Sequence, residues 1–72
     1  MTRKEARALL GNQPQFALRA MARALAIAPW LNTEDDWKRA EALRALGYRN
    51  APSAEIKGAI DRRRTRETVE LI

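Results

Sequence analysis

The sequence predicts a compact all-α domain of four helices over residues 1–72. Alanine and leucine supply much of the 46% apolar content, and both favour helix, whereas β-branched residues are sparse. Glycine and proline separate four stretches with helical periodicity. Because so short a chain buries only about 60% of its unfolded surface, close helix packing or oligomerisation must stabilise it.

The first helix is predicted over residues 3–10. Thr2 and Glu5 have the spacing of a capping box, in which the threonine hydroxyl caps the helix and the glutamate bonds back to its backbone. Gly11 suits the left-handed conformation that often follows the last helical turn.

The second helix is predicted over residues 14–28, between Pro14 at its first position and Pro29 beyond its end. Arg19 and Arg23 are four residues apart and form one polar stripe, while nearly all other positions are apolar. A helix that is apolar on almost every side is usually central, so the domain is expected to be built around this helix.

The third helix is predicted over residues 34–46. Thr33 or Asn32 caps it, three acidic residues in its first turn favour the positive helix end, and Gly47 closes it. Two ion pairs with i,i+4 spacing are expected along its surface: Glu34 with Lys38, and Asp35 with Arg39.

The fourth helix is predicted over residues 53–67, with Ser53 as its cap. Its apolar stripe stops after Ile60, so the second half is expected to project from the core or fray. For residues 68–72 the sequence allows three alternatives: packing on the domain, pairing with another chain, or flexibility.

Composition argues against several classes of function. The chain has no cysteine and no histidine, and Ser53 is its only serine, so the usual nucleophile–base pairs and thiolate or imidazole metal sites are not available. We expect a non-enzymatic protein without a metal or cofactor. No signal-like or membrane-spanning run is present, which predicts a soluble, cytoplasmic protein.

Charge favours a polyanionic partner. The chain carries a net charge of +5, and 11 of its 14 basic residues are arginine. The fourth helix holds the densest cluster, so nucleic acid, DNA or RNA, is the first candidate partner. Its expected main contacts are Lys57, Arg62, Arg63, Arg64 and Arg66. A second basic patch is expected from Arg3, Lys4, Arg7, Arg19 and Arg23.

The third and fourth helices also suggest a helix-turn-helix-like hairpin, although their connection is longer than usual and Glu55 and Asp61 would face the DNA. Residues 41–56, with the run from Leu46 to Asn50, resemble a segment of the N-terminal DNA-binding domains of phage BRO-type antirepressors. The resemblance covers about a fifth of the chain, and it implies DNA binding. Those domains also contain strands, which this sequence does not predict.

The alternative is a protein-interaction module. The Ala- and Arg-rich style of the chain resembles short proteins of phages and mobile elements, which implies a regulatory protein or an inhibitor or adaptor of host machinery, of anti-restriction or anti-CRISPR type. Trp30, next to Pro29, is the expected surface anchor for an acidic protein partner. Met21 and Leu25 of the second helix are the expected seam of a possible homodimer.

Overall fold

A computed structural model describes residues 1–70 of the chain, and side chains through Thr65. Four α-helices are joined by short connections, with one 3₁₀ turn at Pro29–Leu31, and residues 1–70 contain no strand. The prediction of a compact all-α fold of four helices is confirmed. The helices are α1 (Arg3–Leu10), α2 (Gln15–Ile27), α3 (Glu34–Ala45) and α4 (Ala54–Glu70).

Local capping fixes where α1 and α3 begin. The Thr2 hydroxyl accepts a hydrogen bond from the Glu5 backbone N–H at 3.2 Å, as predicted. At α3 the cap is Thr33, in a full capping box with Asp36: the Thr33 hydroxyl accepts from the Asp36 N–H at 3.2 Å, and the Asp36 carboxylate accepts from the Thr33 N–H at 3.1 Å. This local chemistry is why the sequence located both starts correctly.

The core is small and rich in alanine. Leu43 is its largest fully buried side chain, and alanines from three helices are buried with it, which brings those helices close together at the cost of little apolar area. Met21, Trp37 and Tyr48 are partly buried against its edge. The buried residues are Ala6, Leu10, Leu18, Ala22, Leu25, Ala40, Ala42, Leu43 and Ala51.

The central helix is α3, and the expectation that the domain forms around the second helix is wrong. α3 packs against both α1 and α2. α2 buries only one stripe, and its outer face leaves Phe16 76% and Ile27 72% exposed. The physical reason is that α4 packs on the 3₁₀ turn rather than across α2, so nothing in the described chain covers that outer face.

The last helix makes its main contacts with the 3₁₀ turn, and an ion pair of 3.5 Å between Lys57 and Glu34 joins it to the start of α3. This arrangement does not establish the helix-turn-helix-like hairpin. From Asp61 to Thr65 every side chain is exposed, as the loss of the apolar stripe predicted. Residues 68–70 continue α4, and the expectation for residues 71 and 72 lies outside the described residues.

Candidate nucleic-acid interface

The basic cluster of α4 is partly engaged within the fold. The Lys57 ammonium lies 3.0 Å from the Asp61 carboxylate and 3.5 Å from that of Glu34. The hydrogen bond to Asp61 is the main cause that raises the pKa of Lys57 above its ordinary value of 10.5. Arg64 donates a hydrogen bond to the backbone carbonyl of Trp30. The Arg66 side chain lies outside the described residues.

A different basic surface lies where α2 approaches the loop that follows α3. Here α2 and the loop after α3 enclose an open depression of about 720 Å³. Arg19 and Arg23 line it from α2, and Arg49 lines it from the loop. Tyr48 and Asn50 complete the loop side. Three guanidinium groups from two distant parts of the sequence therefore share one concave surface.

The N-terminal arginines extend this surface. Arg3 and Arg7 of α1 line a second depression of about 320 Å³, whose other walls come from the α1–α2 loop and α2. Gln15, Leu46 and Tyr48 line both depressions, so the two adjoin each other. We call this surface the basic face and define it by Arg3, Arg7, Arg19, Arg23 and Arg49. Lys4, predicted to join the same patch, is not part of either lining.

The basic face contains no acidic residue in either lining. No described carboxylate lies within 4.0 Å of any of its five guanidinium groups. The acidic residues that do pair lie outside both linings: Asp36 with Arg39 at 3.0 Å, Glu34 and Asp61 with Lys57, and Glu41 with the N-terminal ammonium group at 3.9 Å. The fold thus separates arginines that can bind a polyanion from cations that neutralise its own carboxylates.

The end of α3 positions the centre of the basic face. Gly47 has φ +100°, a left-handed conformation that L side chains rarely adopt. This bend allows the Gly47 N–H to reach the Arg44 carbonyl at 3.0 Å and the Tyr48 N–H to reach the Leu43 carbonyl at 2.9 Å, the pattern of a Schellman motif. Tyr48 is therefore held against the core where the two depressions meet.

Arg44 fixes the rest of the loop. Its guanidinium Nη1 donates hydrogen bonds to the carbonyl oxygens of Arg49 at 3.0 Å and Ala51 at 3.1 Å. The Ala51 N–H in turn reaches the Tyr48 carbonyl at 3.3 Å. Because the backbone on both sides of Asn50 is held, the Arg49 side chain projects from an ordered support.

Four of the predicted contact residues come together in the basic face: Arg3, Arg7, Arg19 and Arg23. The cluster predicted as the main contact lies apart from them on α4. Sequence reasoning missed Arg49 and Tyr48 as members of the site. The signal that could have found Tyr48 is its place directly after the glycine that ends α3, since that position commonly folds back onto the helix.

The residues predicted for a protein partner divide between surface and core. Trp30 is 55% exposed beside Ile60, Arg63 and Arg64, in agreement with a surface position. Leu25 is only 8% exposed and belongs to the core. Met21 is half-buried against the same core, and a homodimer seam at these two residues stays a prediction.

Among the side chains described, through Thr65, no group of three or more Asp or Glu residues is arranged to hold a metal ion. No helix in that part of the chain combines the length and the apolar character that crossing a bilayer requires. Comparison with models of protein families, with characterised proteins and with solved structures gives no match for this chain. The resemblance of residues 41–56 to antirepressor domains gains no support from these comparisons.

Proposed function

We propose that this protein binds nucleic acid through the basic face, as a small non-enzymatic regulatory or accessory protein. One observation carries the proposal: five arginines from α1, α2 and the loop after α3 line two adjoining depressions, and neither lining contains a carboxylate. Arginine is the side chain best suited to phosphate, because its planar guanidinium donates two parallel hydrogen bonds to one anion.

The basic face is a better candidate than the α4 cluster predicted from the sequence. Lys57 is held by two carboxylates, and a phosphate would have to displace them. Arg19 and Arg23 lie one turn apart on α2, so the helix sets the distance between their backbones. Arg49 lines the same depression from a loop whose backbone is hydrogen-bonded to Arg44. Because the backbones that carry these exposed side chains are held, the three arginines meet a phosphate chain at set relative positions, which reduces the cost of ordering on binding.

The decisive experiment compares two triple variants that change the net charge equally. Arg19→Ala/Arg23→Ala/Arg49→Ala removes three charges from the basic face, and Arg62→Ala/Arg63→Ala/Arg64→Ala removes three from α4. Binding of labelled DNA and RNA is followed by fluorescence anisotropy over a salt series. Circular dichroism verifies that both variants keep the parent's helicity.

We expect the basic-face variant to lose most of the affinity and to show a smaller salt dependence, since each lost phosphate contact removes about 0.7 to 0.9 from the slope of log K against log salt. The α4 variant should retain most of the affinity. Loss confined to the α4 variant would overturn the proposal. Equal loss in both variants would also overturn it, because affinity would then follow net charge and not a site.

A second candidate function, binding of a protein partner, is favoured by a separate observation. Ile27, Trp30 and Leu31 are large apolar side chains within five residues, and each has more than half of its surface exposed. Trp30 lies beside Ile60 and two arginines of α4, a combination that suits a partner surface carrying apolar and acidic side chains.

A photo-crosslinking amino acid tests this second candidate. Placed at Leu31 in the apolar group, it should give one discrete crosslinked product with a partner protein in cells. Placed at Lys38, an exposed position on α3, it should give none. The same products from both positions would indicate non-specific contact and would contradict the candidate.

A further inference from the structure

We infer that the basic face takes single-stranded nucleic acid and stacks bases on two aromatic side chains, Tyr48 and Phe16. This inference rests on the proposed function and specifies its ligand. It comes from the shape of the surface, the position of the two rings and the amide side chains between the arginines.

The basic face is concave. Its arginines line two adjoining depressions, one between α2 and the loop after α3 and the other beside α1 and the α1–α2 loop. Reading a duplex requires an element that enters the major groove, about 12 Å wide, or a surface that follows two phosphate backbones. A groove lined by arginine instead matches the backbone of one strand, with the bases turned toward the walls.

Tyr48 lies where a base would meet the groove. It is the only tyrosine in the chain, and it lines both depressions at their junction. Its backbone is fixed by the hydrogen bond to Leu43, and its ring is only partly buried against the core. An aromatic ring that is held in place and partly exposed between arginines is the arrangement that stacks unpaired bases.

Phe16 supplies the second ring. It is 76% exposed and contributes nothing to the core, although it is one of the most apolar residues in the chain. It lines neither depression, but its spacing of three and seven residues from Arg19 and Arg23 places it on the same side of α2 as these two arginines, next to the basic face. An exposed aromatic side chain next to phosphate-binding arginines has a direct role if bases stack on it.

Amide side chains occupy the positions between the arginines. Asn50 comes from the loop that Arg44 holds, and the others come from the α1–α2 connection and the start of α2. Amides donate and accept hydrogen bonds, so they can contact the edges of unpaired bases without adding charge. The four amide residues are Asn12, Gln13, Gln15 and Asn50.

The test measures binding of four labelled ligands of equal length. They are a single-stranded DNA, a single-stranded RNA of the same sequence, the corresponding duplex, and an abasic strand that keeps only sugar and phosphate. The variants are Phe16→Ala, Tyr48→Ala and Tyr48→Phe. Leu31→Ala is the matched control, since it removes a side chain of similar exposure (73%) from the 3₁₀ turn, which carries none of the basic-face arginines. Phe16 is exposed, so its removal leaves the fold intact even if Tyr48→Ala does not.

We expect the parent to bind the single strand more tightly than the duplex. Phe16→Ala should weaken single-strand binding by about fivefold to a hundredfold, the range for one stacked base, and should leave binding of the abasic strand unchanged. Tyr48→Phe and Leu31→Ala should bind as the parent does. Relative affinity for DNA and RNA identifies which sugar the groove accepts.

Tighter binding to duplex, with no effect of Phe16→Ala but a loss in Arg19→Ala/Arg23→Ala/Arg49→Ala, would overturn the inference and leave the proposed function standing. An equal loss of abasic and normal strands in Phe16→Ala would also overturn it, since no base would then be involved. Absence of binding to every ligand at near-physiological salt would overturn the proposed function as well.

Discussion

The guanidinium group of Arg44 is hydrogen-bonded to the backbone carbonyl of Arg49, five residues later, at a distance of 3.0 Å. The same nitrogen also reaches the Ala51 carbonyl, so one side chain from α3 holds the loop that carries part of the basic face. Arg44 itself does not line that face. Its contribution to binding is therefore expected to be indirect, through the loop.

Replacing Arg44 by alanine tests this relationship. The loss of two hydrogen bonds, one of them partly buried, should reduce the free energy of unfolding by roughly 1–2 kcal/mol. Nucleic-acid affinity should fall several-fold, because Arg49 would no longer project from an ordered loop. The control is Arg39→Ala, which removes the same charge from an exposed i,i+3 pair with Asp36. Equal affinities of the two variants would show that only the charge matters.

Two glycine-to-alanine substitutions should change stability in opposite directions. Gly47 has φ +100°, so an alanine there is strained even though its Cβ would meet open space, and we expect a loss of about 1–2 kcal/mol. Gly58 lies inside α4, where a Cβ would meet only the flexible end of Arg62 at 3.9 Å. Alanine at position 58 should therefore stabilise the helix by up to about 1 kcal/mol. Urea unfolding measures both changes, and a neutral Gly47→Ala would contradict the left-handed turn.

Leu43 should be the most sensitive apolar position in the chain. Its side chain is fully buried between α1 and α2, so Leu43→Ala should lower the free energy of unfolding by about 2–5 kcal/mol. Leu31→Ala removes the same atoms from an exposed position and should stay within about 0.5 kcal/mol of the parent. Similar midpoints of thermal unfolding for the two variants would place the core elsewhere.

Because of the capping box of α3, the free energy of unfolding should decrease at acidic pH. The hydrogen bond from the Thr33 N–H is the main cause that lowers the pKa of Asp36 below its ordinary value of 3.8, with Arg39 adding to the effect. Because the folded protein favours the ionised carboxylate, this stabilisation is present above pH 3.8 and is lost as pH falls through the lower pKa of the folded state.

Thermal unfolding from pH 6 down to pH 2 checks this dependence. Asp36→Asn keeps an oxygen acceptor for Thr33 but cannot titrate, so its unfolding midpoint should fall less steeply at low pH than that of the parent. Asp35→Asn is the matched control, since it removes a charge from the same turn while the Thr33 N–H stays bonded to Asp36. A parallel decline in all three proteins would show that Asp36 has no special part in it.

The ends of the helices could be predicted because they depend on neighbours in sequence. Thr33 and Gly47 act within one helical turn of themselves, and the first three helices were located within one residue of their observed ends. The expected i,i+4 pairs of α3 were not found: Asp36 pairs with Arg39, and Glu34 pairs with Lys57 of α4. Exposed side chains choose among several partners, and spacing alone does not fix the choice.

The basic face could not be predicted from the sequence, because contacts between distant segments of the chain bring its residues together. Arg3 and Arg49 are 46 residues apart in the sequence, and no periodicity indicates that Arg7, Arg23 and Arg49 lie on one surface. The prediction relied on the densest run of basic residues, which lies on α4. Density along the chain does not reveal which cations are paired across the fold, as Lys57 is with Glu34.

The alanine-lined core has a consequence for which mutations the protein can accept. Ala6, Ala22, Ala40 and Ala42 have no exposed surface, and they lie where helices approach each other closely. In most cores the harmful substitutions are those that shorten a large side chain. At these four alanines only one methyl group can be removed, and a larger side chain would overlap with the neighbouring helix. In a saturation library, glycine or serine should be the mildest replacements there and valine, leucine or phenylalanine the most harmful. The fold is thus constrained by the largest side chain that each helix crossing can admit.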